Sequence, residues 1–165
     1  MATVTPAELL RRMKADLTTW ATDNKAEVSV AEDALSALEI LADSPGRCRV
    51  VLNWAGERNL SNVPDLFMFE QTVEVSLAAA KDMAVAPGGS LHTAPAFKGA
   101  LLALLQSLKA YVLGQSWDAG TTGQNWQYRD TRIATLPGGV PLRAYTMTFA
   151  IETAPAAVTD HAVSA

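Results

Sequence analysis

Hydrophobic and polar positions along the chain fall into segments with distinct periods. Between Pro6 and about Asp23, Leu9, Leu10, Met13, Leu17 and Trp20 recur at spacings of three and four, which predicts one amphipathic helix. Thr5 is placed to cap it, Pro6 suits the first helical position, Glu8 completes a capping box and Val4 can staple onto Leu9. Arg11, Arg12, Lys14 and Asp16 then form a solvated face. A second capping box, Ser29 with Glu32, predicts a helix carrying Leu35, Leu38 and Leu41 and stopped by Ser44-Pro45-Gly46. From Arg47 to Trp54 the period changes to two: Cys48, Val50, Leu52 and Trp54 share one face, and Arg47, Arg49 and Asn53 the other. Gly56, Asn59, Asn62 and Pro64 mark Ala55 to Asp65 as a loop.

Alternation returns from Leu66 to about Ala79, with Phe67, Phe69, Val73, Val75 and Leu77 opposed to Glu70, Thr72, Glu74 and Ser76. At about 3.3 Å per residue such a strand reaches roughly 40 Å, which predicts that it projects beyond its domain as an assembly device. Ala86 to Ser90 reads as a flexible loop. A third helix is predicted from about Pro95 to Leu113, with Phe97, Leu101, Leu104, Leu105, Leu108 and Val112 as its buried stripe and Gly114 as its stop. Trp126 to Leu136 and Leu142 to Thr153 read as an antiparallel hairpin turning across Pro137 to Pro141, the second strand showing Tyr145, Met147, Phe149 and Ile151 on one face. The expected fold is a single α+β domain over residues 1–153, a mostly antiparallel four-stranded sheet packed against helices in the order ααββαββ. Residues 154–165, without periodicity, are expected to be a disordered tail.

Composition narrows the function. A chain of 165 residues with 49% hydrophobic and 18% charged content is long enough for one core. A net charge of -4 opposes general affinity for nucleic acid or anionic membranes, and no apolar run is long enough to span a bilayer as a helix. No export signal is read at the N-terminus, and the single cysteine, Cys48, forms no internal disulfide, so a reducing cytosol is the expected folding compartment.

Motifs for catalysis or metal binding are not found. His92 and His161 have no partners at zinc-ligand spacing. Gly114 to Asp118 lacks the final glycine of a nucleophile elbow and follows a helix instead of a strand. Gly88-Gly89-Ser90 lacks the lysine of a phosphate loop. No catalytic residue, cofactor or metal is therefore assigned. Glu70 and Glu74 share a strand face, and Arg129, Arg132 and Arg143 cluster across the hairpin, where they can meet acids on another subunit or keep a strand edge soluble. Together with Trp54, Trp117 and Trp126, aromatics of the kind enriched at binding hot spots or used to close a core, these residues are the candidate interface.

The layout resembles the tail terminator (tail completion) proteins of long-tailed bacteriophages over roughly Pro6 to Thr153. The likeness is carried by the amphipathic start Ala7-Glu8-Leu9-Leu10-Arg11-Arg12, the alternating strand Phe67 to Val75, the helix Leu101 to Leu113 and the closing strand Tyr145 to Ile151. The resemblance implies a structural virion protein at the tail neck, assembled in the host cytoplasm. It implies a hexameric ring that caps the tail tube, ends its polymerisation and joins the head, with the tail tube protein, a head-tail connector protein and further copies of itself as partners. No membrane, cofactor or sequence-specific nucleic-acid binding is implied, and an acidic surface would suit a bore that passes DNA without holding it. The alternatives are another neck or baseplate connector of the same particle, or a small enzyme with dispersed catalytic residues.

Overall fold

The computed structural model describes residues 5–43, 48–60, 69–80, 101–115, 125–137 and 142–153. The stop at Ser44 to Gly46, the staple from Val4, the Ala86 to Ser90 loop, the helix start at Pro95, Phe97, Trp117, both histidines and the 154–165 tail lie outside them.

The chain opens with α1 (Pro6–Asp16), whose N-terminus is capped by Thr5: its Oγ1 accepts from the Glu8 backbone N–H at 3.2 Å. The expected box is only half made. The Glu8 carboxylate turns instead to the guanidinium groups of Arg11, at 2.9 and 2.8 Å, and Arg12, at 2.7 Å, because charge-assisted bonds outcompete one to a neutral backbone N–H. Those bonds, Arg11 first, hold its carboxyl down at about 2. The single predicted helix is divided at Leu17, with α2 (Thr18–Asn24) following. The interruption is slight, since Leu17 N–H still donates to Met13 at 3.0 Å and Ala21 N–H to Leu17 at 2.9 Å. The stripe from Leu9 to Trp20 therefore stays continuous and buried.

The largest departure from the sequence pattern comes next. Ser29 does not start a helix; it lies inside β1 (Ala26–Ala31), which pairs in parallel with β2 (Cys48–Asn59). Glu27 stands beside Arg49 in that register and accepts from its Nη2 at 2.6 Å. The helix between them, α3 (Ala34–Ala42), is capped by Asp33, whose Oδ1 accepts from Ser36 N–H at 2.7 Å. Ala37 and Leu41 are its buried residues, while Leu35, predicted for the stripe, is 66% exposed. Two acceptor side chains, Ser29 and Asp33, compete in the sequence for the cap, and the carboxylate takes it.

The predicted loop at Ala55 begins instead as a continuation of β2, which runs to Asn59 through a bulge between Trp54 and Gly56. Gly56 adopts φ +126°, a conformation that L side chains rarely reach, so glycine here bends a strand without ending it. β3 (Phe69–Ala80) pairs with β2 over Phe69 to Ala78 and with β5 (Leu142–Thr153) along its whole length. It is thus the central strand and does not project. After α4 (Leu101–Gly114) comes β4 (Gln127–Ala134), antiparallel to β5 as the hairpin pattern predicts.

Among the described residues the sheet has five strands in the order β1-β2-β3-β5-β4, so the architecture is mixed α+β with one more strand than predicted. Helices cover both faces. On one, α1, α2 and α4 pack over Val50, Leu52, Val73, Val75, Leu77, Met147 and Phe149. Trp20 Nε1 donates to Ser107 Oγ at 3.0 Å and the Tyr111 hydroxyl to the Asp16 carbonyl at 2.9 Å, locking the three helices together. On the other face, α3 covers a smaller apolar cluster of Ala31, Val51, Ala78 and Ala144.

Two outcomes test this arrangement. Asp33→Ala should cost about 1 kcal/mol in chemical denaturation, whereas Ser29→Ala should leave α3 intact, with an effect of at most about 0.5 kcal/mol. Cys48 is 2% exposed and burial pushes its thiol up to about 11. Iodoacetamide at mildly alkaline pH should therefore leave the native thiol unlabelled and modify it fully in concentrated guanidinium chloride, as read by mass spectrometry.

Candidate functional site

Because α3 is short, no helix among the described residues lies over the half of its sheet face nearer Glu70, and strand alternation fills that half with polar residues. Glu70, Thr72, Glu74 and Ser76 leave β3 on this side, opposite to Val73 and Val75 in the core. Glu70 is bracketed by two guanidinium groups: Arg129 Nη2 lies 2.5 Å from Oε2 and Arg58 Nη2 lies 3.3 Å from Oε1. Glu74 accepts from Arg132 Nη2, and Arg132 Nη1 also reaches Thr148 Oγ1 at 3.4 Å. The carboxylates sit low against the sheet, with side chains 14% and 12% exposed, while Arg58, Arg129 and Arg132 are 70%, 44% and 53% exposed. The acids are anchored and the cations form the outer layer.

Four candidate residues, Glu70, Glu74, Arg129 and Arg132, are thus brought together within one chain. Their charges meet each other, which lowers the surplus available to a partner. Four positions along one strand separate Glu70 from Glu74 by on the order of 13 Å at the Cα level, beyond the roughly 5–9.5 Å between carboxyl groups of glycosidase pairs. Both have the same kind of arginine-lined surroundings, and acid–base pairs work through unequal ones. Among the described residues no group of three or more His, Cys, Asp or Glu side chains is disposed to hold a metal ion.

The other candidates separate. Trp126 is 3% exposed and packs in the larger core, so it presents no surface. Trp54 lies on the opposite sheet face from the arginines, half buried, its Nε1 donating to Gln71 Oε1 at 2.8 Å. Arg143 stands opposite Ala79 in the β3–β5 register, and its side chain, like all of Trp117, is outside the described residues. Arg58 was missed by the pattern because it lies in the segment read as a loop.

A second feature belongs to the sheet edges. Among the described residues β1 and β4 each pair on one side only. Val30 on β1 is 40% exposed, beside a groove of about 580 Å³ between α1 and β1 with Leu10 and Trp54 in its wall and Arg11 and Lys14 at its rim. On β4, Ile133 is 76% and Tyr128 37% exposed, the latter with its ring edge-on to Phe149 at 5.9 Å and the Lys109 Nζ 4.8 Å above it. A bulge between Tyr128 and Asp130 and the charges of Arg129, Asp130 and Arg132 guard part of this edge against indiscriminate pairing.

No family model matches the chain, and no curated protein matches it in sequence.

The Glu74–Arg132 pair should couple measurably. A double-mutant cycle with Glu74→Gln and Arg132→Gln is expected to give about 0.5–1 kcal/mol in urea unfolding, decreasing as salt is raised, because Arg132 is half exposed.

Proposed function

We propose that the protein is a structural subunit that associates with copies of itself into a closed ring, and that this ring caps the tail tube of a long-tailed bacteriophage, ends tube polymerisation and offers the joining surface to the head. The observation that carries the reading is the pair of sheet edges left unpaired among the described residues, at opposite ends of one sheet and each with exposed apolar side chains: Val30 on β1 and Tyr128 with Ile133 on β4. A monomer gains nothing from exposing them. Two different edges on one subunit favour a head-to-tail contact, and such contacts close into rings when the rotation between neighbours allows. The paired charges of Glu70, Arg58, Arg129, Glu74 and Arg132 fit a structural surface better than a reactive one. The pattern-level likeness to tail terminators supplies the biological setting, with the tail tube protein below the ring and a head-tail connector protein above it.

Light scattering on the purified protein, alone and mixed with tail tubes of its own particle, tests this. A ring in solution or at tube ends is expected, and Ile133→Asp should lower the assembled fraction at least about tenfold, the equivalent of about 1.4 kcal/mol, without loss of fold by circular dichroism. A protein that stays monomeric and never binds a tube end would refute the reading. Assembly that ignores Ile133→Asp would place the contact elsewhere.

A further inference from the structure

Where the cover of α3 ends, the sheet face dips into a cavity of about 200 Å³. Its floor is unusual for a sheet interior: Asn53, Ser76 and Thr146 are 1%, 2% and 3% exposed. The ion pair of Glu74 and Arg132 forms one side, and Ala34 and Leu38 of α3 with Ala134 of β4 make an apolar mouth. Buried polar groups are normally satisfied, because leaving one unpaired costs the full desolvation of that group.

Here the bonding is incomplete. The one hydrogen bond of the Asn53 side chain among the described residues runs from Nδ2 to the Trp54 carbonyl at 3.3 Å, so its Oδ1 and second N–H remain without a protein partner. Ser76 and Thr146 bond hydroxyl to hydroxyl at 2.8 Å, which uses one of their two protons and leaves the other to donate. Arg132 keeps N–H groups beyond those given to Glu74 and Thr148.

We propose that this cavity binds a single primary carboxamide, either as a small free amide or as the side chain of an asparagine or glutamine of a partner protein. The charges decide the class. A carboxylate placed here would meet Glu74 and an ammonium would meet Arg132, whereas a neutral group with both a donor and an acceptor satisfies both sides. The amide N–H groups donate to Asn53 Oδ1, and its carbonyl accepts from the free hydroxyl proton or from Arg132. The size agrees: about 200 Å³ is below the roughly 300–1,000 Å³ of pockets that engulf a drug-sized ligand, so the occupant is a fragment or one side chain. Leu38 and Ala134 suit an apolar carrier behind the amide. The proposal does not depend on ring formation.

Ligand-observed saturation-transfer NMR on the full chain reads weak binding whatever the size of the assembly. Benzamide is expected to bind with a dissociation constant on the order of 1 mM, with benzoate and benzylammonium at least about tenfold weaker. Asn53→Leu and Thr146→Val keep the shapes of their side chains and should each reduce benzamide binding at least about tenfold; if the first fails to fold by circular dichroism, the second carries the test. Competition by N-acetylglutamine methylamide, absent for its glutamate counterpart, would identify a protein side chain as the occupant, and benzamide binding without it a free amide. No saturable benzamide signal, equal binding of benzoate, or binding that survives substitution of the floor would overturn the proposal.

Discussion

Pairing of β3 on both sides is the constraint from which the other positions follow. A strand bonded to β2 and β5 through almost all of its length has no backbone donors left for other purposes, so its only freedom is which side chains face which way. Val73, Val75 and Leu77 commit one face to the core, and that commitment sends Glu70, Glu74 and Ser76 to the other. The helices then divide unequally. Among the described residues three lie over the apolar face, and one short helix covers apolar surface on the opposite face, at Ala31, Val51, Ala78 and Ala144. The ion pairs and the polar cavity both occupy the part that α3 leaves uncovered.

The arginines illustrate how packing and charge work together. Glu70 and Glu152 stand opposite one another in the β3–β5 register, an unfavourable like-charge pairing. Arg58 and Arg129 close on Glu70 from the two flanking strands and supply the opposite charge that the register requires. Their presence therefore has a structural cause before any functional one. Val30 and Ile133 at the two edges are exposed with no such internal cause among the described residues, and for that reason they carry more weight in the functional reading than the charges do.

Much of this was legible in the sequence where one period ran unbroken. The stripe Leu9 to Trp20, the alternation Val73 to Leu77, the leucines Leu101 to Leu108 and the apolar face Tyr145 to Ile151 all occupy the faces that their spacing predicts. The failures have local causes. β1 is six residues long with intermediate burial at most positions, so its alternation is weak beside the Ser29-to-Glu32 spacing that mimics a helix cap. The continuation of β2 was hidden by Gly56, because a glycine that ends a strand and one that bends it look alike until the partner strand is known. Glu70 and Glu74 were assigned to one face directly from their spacing, but their union with Arg129 and Arg132 depends on β4 lying beyond β5, which no local pattern encodes. Asn53 and Ser76 were placed on polar strand faces, but their meeting with Thr146 was not legible for the same reason: each is an ordinary polar residue until three strands set them side by side.

The bulge at Ala55 sets the side-chain parity of everything after it on β2. Trp54 stands opposite Val73 and Gly56 opposite Thr72, so two steps along β2 match a single step along β3. Arg58 consequently faces the same way as Arg49 and Asn53, although all the even-numbered residues from Cys48 to Trp54 face the core. Straightening the bulge with Ala55 drawn into the ladder would reverse the outer half of the strand, turning Arg58 toward the helices and placing Glu57 opposite Glu70, an acid beside an acid. The bulge thus keeps the charge pattern in place: its loss at unchanged chain length would act as a charge reversal on a surface where no charged residue had been altered, whereas deletion of Ala55 itself would leave Arg58 opposite Glu70.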